Sequence, residues 1–418
     1  MIIESRKKKG EFSMNKRMNR NRLNIGAYIL QPYARTEQHV KDIAECGIDF
    51  IVCMSNDRPA LDLFEKHGVG AIVSGIVPGW WGGDGNNAGK MAETNPMEKY
   101  DAAALKFEDH PAIWGIDVGD EPSALDFPYY GKVIDHVNKN FPEQFAYLNL
   151  YPNYASVAVN TDSQTVNQLG TKTYAEHIEK YCENVNTDYI CYDYYPYSAS
   201  VSGFYENFKI VADACRNTGR SMWIVVQVNS LHKEIWLSED KLRFQAYTSM
   251  AFGAENIIWA CYTAGWWNNQ VLDENGNKTE QYEKLKKINA EIRAMGDEYM
   301  KFRRVSTHFV GGDSETVGQP VLEKLSTGVF MDVKAENGES LVIGQMVSRA
   351  NDGSYALMIC PADDPMDNGG KEYKITFNVR DFEISAFNGN GVKTVEKDGE
   401  NYTVTVRSNE GILITAKK

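Results

Sequence analysis

The stretch from Trp114 to Ser123, Trp-Gly-Ile-Asp-Val-Gly-Asp-Glu-Pro-Ser, most constrains what this chain can fold into. Its apolar residues predict a buried strand, and that strand runs into an acidic pair, Asp120 and Glu121. Pro122 cannot donate a hydrogen bond to a neighbouring strand, so the strand ends there. Buried strands that end in a carboxyl group are typical of (β/α)8 barrels, which carry catalytic acids at their C-terminal face. Glu121 is therefore the first candidate for general acid–base chemistry.

The chain between residues 23 and 300 alternates short apolar runs with longer amphipathic segments. Buried parallel strands look like this because helices cover their outer side. The predicted strands are Leu23–Leu30, Asp49–Met54, Gly70–Gly75, Ala112–Val118, Phe145–Leu150, Tyr189–Asp193, Met222–Val228 and Asn256–Cys261. The predicted helices are Thr36–Cys46, Leu61–His67, Asn95–Asp109 with Asn95 as N-cap, Tyr174–Asn184, Phe204–Thr218, Lys241–Ala251 and Glu280–Tyr299.

Eight strands in this order predict an α/β fold, a (β/α)8 TIM barrel. The competing fold is a doubly wound open sheet, which would carry a glycine-rich phosphate loop after its first strand. The sequence Gly26-Ala-Tyr-Ile-Leu30 contains no such loop, so the barrel is favoured.

The texture of the sequence changes after about Lys301, where helical periodicity stops. Short β-like runs separated by Asn-Gly and Asp-Gly turns predict a small antiparallel β-sandwich. These runs are Ser340–Gln345, Tyr355–Cys360, Tyr373–Val379, Glu383–Phe387, Tyr402–Val406 and Ile412–Ala416. The expected domains are a barrel over residues 23–301 and a sandwich over residues 302–418. We expect the sandwich to support the barrel and not to bind carbohydrate.

Residues 1–22 are basic and polar and have no apolar core behind the charges, unlike a secretory signal peptide. We expect a disordered tail, with Met14 as the true first residue. The sequence as written predicts a cytoplasmic protein; a misassigned N-terminus would leave a periplasmic or secreted location open.

Composition excludes several classes of function. A net charge of −13 disfavours nucleic-acid binding, which needs a positive field. No apolar run approaches the length of a membrane span. The seven cysteines form no C-x-x-C pair and the seven histidines no H-E-x-x-H motif, so neither a metal nor another cofactor is expected. The sequence also contains neither the G-x-S-x-G nucleophile elbow of serine hydrolases nor the G-x-x-x-x-G-K-[ST] phosphate loop of nucleoside triphosphatases.

The predicted strand ends are rich in groups that bind sugars. Carboxyl and amide groups pair with hydroxyls, while Trp and Tyr rings cover the C–H faces of a sugar. The candidates for substrate binding are Tyr28, Trp80, Trp81, Asp120, Asn149, Tyr151, Tyr195, Gln227, Tyr262, Trp266 and Trp267.

Each of these candidates has a structural alternative. Strand-end carboxylates also cap helices, although Ser123 or Asp126 can do so here. Paired tryptophans are more often core residues, but the glycine-rich setting of Trp80 and Trp81 predicts a loop. Asp193 is as readily a buried acid bonded to neighbouring tyrosines as an active-site group.

Three segments together resemble the large clan of retaining (β/α)8 glycoside hydrolases, particularly its β-galactosidase-like and gut-bacterial members with a C-terminal β-sandwich. They are Gly115–Pro122, Asp188–Pro196 and Arg243–Ala254 with the following strand. The resemblance implies that Glu121 is the acid/base, at the end of strand four. Clan members usually have Asn before this glutamate, where the chain has Asp120, and their nucleophile is a glutamate at the end of strand seven, where it has Gln227.

An amide at position 227 cannot form a glycosyl ester, which leaves three readings. Asp193 is the second carboxylate, or a loop acid after strand eight (Asp273, Glu274 or Glu280) approaches the site, or the protein binds sugar without cleaving it. The sequence thus predicts a glycosidase acting on an oligo- or polysaccharide, with Glu121 and Asp193 as catalytic residues and retention or inversion open. The alternatives are a non-hydrolytic carbohydrate-binding pseudoenzyme and a lyase or isomerase on the same barrel.

Overall fold

The barrel strands follow from runs of residues that are buried on both faces. The computed structural model describes residues 17–81, 87–155, 168–362 and 371–418. Eight parallel strands close into a barrel in chain order, because β1 pairs with β8 as well as with β2. They are β1 (Asn24–Tyr28), β2 (Phe50–Ser55), β3 (Gly70–Ser74), β4 (Ile113–Asp120), β5 (Phe145–Leu150), β6 (Tyr189–Asp193), β7 (Ser221–Gln227) and β8 (Ala254–Ala260). The predicted (β/α)8 barrel is confirmed.

The helices cover the outer side of these strands. They are α1 (Glu37–Glu45), α2 (Arg58–His67), α3 (Met91–Thr94), α4 (Met97–Ala104), α5 (Phe127–Asn140), α6 (Tyr174–Asn184), α7 (Val201–Thr218), α8 (Glu239–Ala251) and α9 (Glu280–Tyr299). Six of them begin at a Ser, Thr or Asp side chain that accepts a hydrogen bond from the first turn, which satisfies an otherwise unpaired backbone N–H.

The predicted helix over Asn95–Asp109 is shorter than expected, and Asn95 is not its N-cap. Pro96 occupies the N-cap position of α4, which ends at Ala104. Asn95 is instead buried and donates from its amide to the carbonyl oxygen of Gly79 at 3.1 Å. The side chain therefore fastens the loop after β3, which is the loop that carries Trp80 and Trp81.

The C-terminal part of the chain forms two sheets around a separate apolar core. The strands are β9 (Phe302–Val310), β10 (Val321–Leu322), β11 (Met331–Ala335), β12 (Leu341–Ser348), β13 (Tyr355–Pro361), β14 (Glu372–Asn378), β15 (Glu383–Asn388), β16 (Gly391–Lys393), β17 (Glu396–Asp398), β18 (Asn401–Arg407) and β19 (Ile412–Lys417). A short helix, α10 (Ser314–Val317), precedes β10.

The two sheets have the orders β10-β9-β12-β13-β19-β15-β16 and β11-β14-β18-β17. Every pairing is antiparallel except that of β9 with β10. The predicted β-domain after the barrel is confirmed, and each of the six predicted runs is a strand. The sequence patterns missed β9, β10, β11, β16 and β17.

Residues 17–22 close the N-terminal end of the barrel. The Arg17 guanidinium binds both carboxylate oxygens of Asp109, at 2.6 and 2.9 Å. Met18 is buried in the barrel interior, and the Arg20 guanidinium lies 4.8 Å from the ring centroid of Trp223. The disordered tail that the sequence predicts therefore does not include residues 17–22, whereas residues 1–16, with Met14, lie outside the described part of the chain.

Candidate active site

The end of β4 is held in an unusual backbone conformation at the C-terminal mouth of the barrel. Gly119 has a φ of 148°, and a Cβ at this position would collide with the carbonyl oxygen of Trp80. Glu121 has a φ of 44°, a left-handed conformation that costs a non-glycine residue about 1–3 kcal/mol. The Asp120 N–H donates to the carbonyl of Trp80 at 2.8 Å, and the Glu121 N–H donates to the carbonyl of Asn149 at 2.9 Å. Hydrogen bonds from both sides thus fix the acidic pair at the barrel mouth.

Asn149 links two carboxyl groups from different strands. Its Nδ2 donates to Asp120 Oδ1 at 3.1 Å and to Asp193 Oδ1 at 2.8 Å. Asp120 and Asp193 end β4 and β6, and Asn149 is the last residue but one of β5, which lies between them in the barrel. Because one amide nitrogen binds both, the two oxygens lie within about 6 Å of each other. The structure therefore brings together Asp120, Asn149 and Asp193, which the sequence placed only on separate strand ends.

Burial shifts the titration of this acidic pair towards neutral pH. Burial and, after it, the negative charge of Asp120 raise the pKa of Asp193 to about 7, against hydrogen bonds from Asn149 and Tyr195. Burial, helped by the charge of Asp117, likewise raises the pKa of Asp120 to about 6, against a hydrogen bond from Asn149. Two like charges this close resist joint ionisation, so the pair retains about one proton in slightly acidic solution.

Asp117 is a third carboxyl group in the same part of the barrel, and the sequence reasoning missed it. Ser74 Oγ on β3 donates to its Oδ2 at 2.6 Å, and Cys53 Sγ on β2 lies 3.7 Å from the same oxygen. The N–H of Gly119 donates to Oδ1 at 3.1 Å. An aspartate inside an otherwise apolar strand is itself a signal, because isolated acids are rarely buried without partners.

Glu121 shares its surroundings with Asp193. Burial raises the pKa of the Tyr154 and Tyr195 hydroxyls, and the negative charges of Asp193 and Glu121 raise both further. Both carboxyl groups are therefore near the same two phenols, at the mouth of the barrel. Tyr154, in the loop after β5, is half-exposed and was also missed by the sequence reasoning.

Aromatic rings form one wall beside these acids. The ring centroids of Tyr28 and Trp266 are 5.7 Å apart, and those of Tyr195 and Trp267 are 4.9 Å apart. Tyr195 also contacts Trp266, at 6.2 Å, so the four rings are continuous. They come from β1 and from the loops after β6 and β8.

Trp80 and Trp81 differ from each other in exposure. Trp80 is buried against the core, whereas Trp81 is 55% exposed in the loop after β3. Trp80 is therefore a core residue, and Trp81 is the ring of this pair that a ligand can reach. The rest of this glycine-rich loop, residues 82–86, lies outside the described residues.

Two of the predicted tyrosines lie away from the acidic cluster. Tyr151 packs edge-on against His177 of α6, with ring centroids 6.3 Å apart. Tyr262 is buried, and burial raises the pKa of its hydroxyl. The charged forms of Cys46, Tyr282 and Asp42 raise this pKa further, and these three residues belong to the outer layer of the barrel. Both rings therefore pack on the helical side of the strands, and we omit them from the ligand-binding set.

The loop acids considered as alternatives to Asp193 are engaged elsewhere. Asp273 accepts from the backbone N–H groups of Asn275 and Asn277, both at 2.8 Å, and so stabilises its own turn. Glu280 is the first residue of α9 and pairs with Lys284 at 3.1 Å. Glu274 is exposed in the same turn as Asp273. Of these four acids, Asp193 is the one bonded to Asn149 at the mouth of the barrel.

Gln227 ends β7 with its side-chain amide fully engaged. Its Oε1 accepts from the N–H of Tyr197 at 2.9 Å, and its Nε2 donates to the carbonyl of Asn229 at 3.1 Å. The residue is 1% exposed. It therefore joins the loops after β6 and β7, a task that needs both a donor and an acceptor and that a carboxylate cannot perform.

We expect the Gln227→Glu substitution to lower the free energy of unfolding by roughly 1–3 kcal/mol, because a buried carboxylate would face the Asn229 carbonyl without a donor. Urea denaturation measures this, with Gln319→Glu in a loop of the sandwich as the control. A variant that is as stable as the wild type and turns substrate over faster would mean that position 227 accommodates a nucleophile.

The described residues, 17–81, 87–155, 168–362 and 371–418, offer no cluster of metal ligands. Within these ranges, no group of three His, Cys, Asp or Glu side chains could hold a metal ion. No helix of the described chain is long and apolar enough to cross a membrane.

Comparisons with known proteins find similarity of structure only. No protein-family model and no curated protein matches the sequence. The endo-β-1,4-mannanase from Thermotoga petrophila is 9% identical with a TM-score of 0.42, covering 97% of this chain and 96% of its own. The β-galactosidase from the psychrophilic Marinomonas ef1 is 9% identical with a TM-score of 0.49, covering 67% and 62%. The glucosidase from Croceicoccus marinus is 9% identical with a TM-score of 0.46, covering 95% and 96%. Identities of 9% with TM-scores below 0.5 carry no information about activity.

Proposed function

We propose that this protein is a glycosidase that cleaves an oligo- or polysaccharide at the mouth of the barrel. The observation that carries the proposal is the pair Asp120 and Asp193, joined through the Asn149 amide at the barrel mouth. Glu121 follows Asp120 directly, and its backbone N–H donates to the Asn149 carbonyl. Carboxyl pairs perform the acid and base steps of glycoside hydrolysis. The adjoining wall of four aromatic rings suits the C–H faces of a sugar.

In the proposed mechanism, Glu121 donates a proton to the leaving oxygen. Asp193 is the partner carboxylate, which acts on the opposite side as nucleophile or as base for water. The raised pKa values mean that Asp120 ionises first, at about pH 6, and that Asp193 becomes the carboxylate that this mechanism needs as the pH rises through about 7. The Asn149 amide fixes the distance between Asp120 and Asp193.

Substrate positioning in this proposal falls to the side chains around the acids. Asp120 and Asn149 bind sugar hydroxyls, and Tyr28, Tyr195, Trp266 and Trp267 form the stacking wall. Trp81 offers a further ring at the rim because it is exposed. Gln227 acts indirectly, by holding the loop that carries Tyr195.

The second candidate is a protein that binds carbohydrate without cleaving it. The observation in its favour is Gln227, since β7 ends in a structural amide instead of a carboxylate. Such a protein would retain the aromatic wall and the hydrogen-bonding groups while lacking turnover.

The test is product release from a broad panel of oligosaccharides and aryl glycosides, with thermal unfolding of the same mixtures measured in parallel. We expect cleavage of at least one linkage, and the anomeric form of the first product identifies retention or inversion. Stabilisation by a sugar without any product would favour the binding protein. If no sugar of the panel gives a product and none stabilises the protein, both candidates are contradicted.

A further inference from the structure

A cavity of about 260 Å³ lies at the opposite end of the barrel from the candidate active site. It is bounded by the end of α7, the start of β7, the turn between α8 and β8, and strand β9 of the sandwich. Five arginines line it, against two acids, Asp188 and Glu255; the arginines are Arg216, Arg220, Arg303, Arg304 and Arg349. In a chain with a net charge of −13, this is a marked concentration of positive charge.

The Arg220 guanidinium belongs to the lining of this cavity and is held by hydrogen bonds on one of its nitrogens. Its Nη2 donates to the carbonyl oxygens of Cys182 and Val185, at 3.2 and 2.8 Å. Its Nη1 is buried and, within the described chain, has no hydrogen-bond partner. The guanidinium carbon also lies 5.5 Å from the ring centroid of Tyr181, and the group adds its positive charge to the lining of the cavity.

Two neighbouring arginines are held in place by hydrogen bonds to the protein. Arg304 donates from Nε to Thr307 Oγ1 and from Nη1 to Asp213 Oδ1, at 2.6 and 3.1 Å. Arg349 donates from Nη2 to Glu255 Oε1 at 2.6 Å. These bonds fix the guanidinium planes while leaving other N–H groups to point elsewhere.

Like charges crowd one another in this cavity. Burial lowers the pKa of the Arg304 guanidinium; Asp213 raises it, and the positive charge of Arg216 lowers it. Arg303 is exposed at the rim and, in the part of the chain that the structure describes, makes no hydrogen bond or ion pair. The acids around the cavity thus do not neutralise all the positive charge of the arginines. A bound anion would neutralise the remainder.

We propose that this arginine cavity binds a tetrahedral oxyanion, either free phosphate or sulfate or the same group on a small molecule. Guanidinium groups bind such oxygens with paired, charge-assisted hydrogen bonds. The cavity exceeds the volume of a single phosphate, so it has room for water or for a small organic substituent. Because Arg220 belongs to the barrel and Arg303 to the sandwich, the bound anion also ties the two domains together.

The experiment uses the whole protein with inorganic phosphate, sulfate and phenyl phosphate, each compared with chloride at the same ionic strength. Calorimetric titration should show saturable phosphate binding, and the unfolding temperature should rise with phosphate but not with chloride. We expect Arg303→Ala to weaken phosphate binding by about tenfold, because one charge-assisted contact is lost. Arg380→Ala is the matched control: this residue pairs with Glu400 on the far part of the sandwich.

Arg220→Ala should abolish the phosphate effect, and if this variant does not fold, Arg303→Ala alone decides, since Arg303 is exposed. Tighter binding of phenyl phosphate than of phosphate would identify a substituted ligand, and the reverse a free ion. The proposal is overturned if phosphate and chloride act alike on the wild type, or if Arg303→Ala binds phosphate as tightly as Arg380→Ala does.

Discussion

The Glu121→Gln variant is expected to lose hydrolytic activity by about 10²–10⁴-fold while still binding substrate, because an amide cannot donate the proton that the leaving oxygen needs. Glutamine has the shape of glutamate and tolerates the same backbone, so the φ of 44° and the hydrogen bond to Asn149 should survive. The measurement is kcat and KM on the best substrate of the panel, together with substrate affinity from titration.

The matched control is Glu93→Gln, an exposed glutamate on α3 in the same loop as Trp81. It changes one glutamate to the amide near the barrel mouth without touching the acidic cluster, so its kcat should equal that of the wild type. An aryl glycoside with a good leaving group should be affected less by Glu121→Gln than a natural sugar, because it needs little proton donation. Equal kcat for wild type and Glu121→Gln on every substrate would remove Glu121 from the mechanism.

The barrel could be predicted from sequence because its signals are local. An apolar run of five to eight residues followed by an amphipathic helix occurs along residues 23–300, and each predicted strand overlaps the observed one. Strand β9 was missed because its polar residues break the apolar pattern. Those residues have tasks that no local pattern reveals: Arg304 pairs with Asp213 of α7, and Arg303 lines the arginine cavity.

The candidate site was predictable only in part. Strand ends supplied Asp120, Asn149 and Asp193, but the shared amide that joins them depends on the register between β4, β5 and β6. Tyr151 shows the limit of alternation along a strand: it follows Asn149 by two residues, yet β5 ends at Leu150 and the ring turns towards α6.

The second large effect concerns Asp193. We expect Asp193→Asn to reduce kcat by about 10²–10⁴-fold, because the amide can be neither nucleophile nor base. We also expect the same variant to be more stable than the wild type at alkaline pH. A carboxyl group whose ionisation is opposed by burial and by a neighbouring charge destabilises the fold once it is ionised.

The sign of the pH dependence follows from proton binding. An unfolded aspartate ionises near its ordinary pKa of 3.8, whereas folded Asp193 retains its proton until about pH 7. Between these values the folded state binds more protons than the unfolded state, so raising the pH favours unfolding. The wild type should therefore lose stability from about pH 4 to about pH 7 through this group, and Asp193→Asn should not.

The variant should thus exceed the wild type by roughly 1–4 kcal/mol in free energy of unfolding at about pH 8, and by much less at about pH 5. Urea denaturation of both proteins at the two pH values measures this, with Asp381→Asn, an exposed aspartate of the sandwich, as the control. Lost activity together with gained alkaline stability would identify Asp193 as a group kept for chemistry at a cost to folding. A variant that is inactive and also less stable at both pH values would instead make Asp193 a structural acid, whose bonds to Asn149 and Tyr195 hold the mouth of the barrel together.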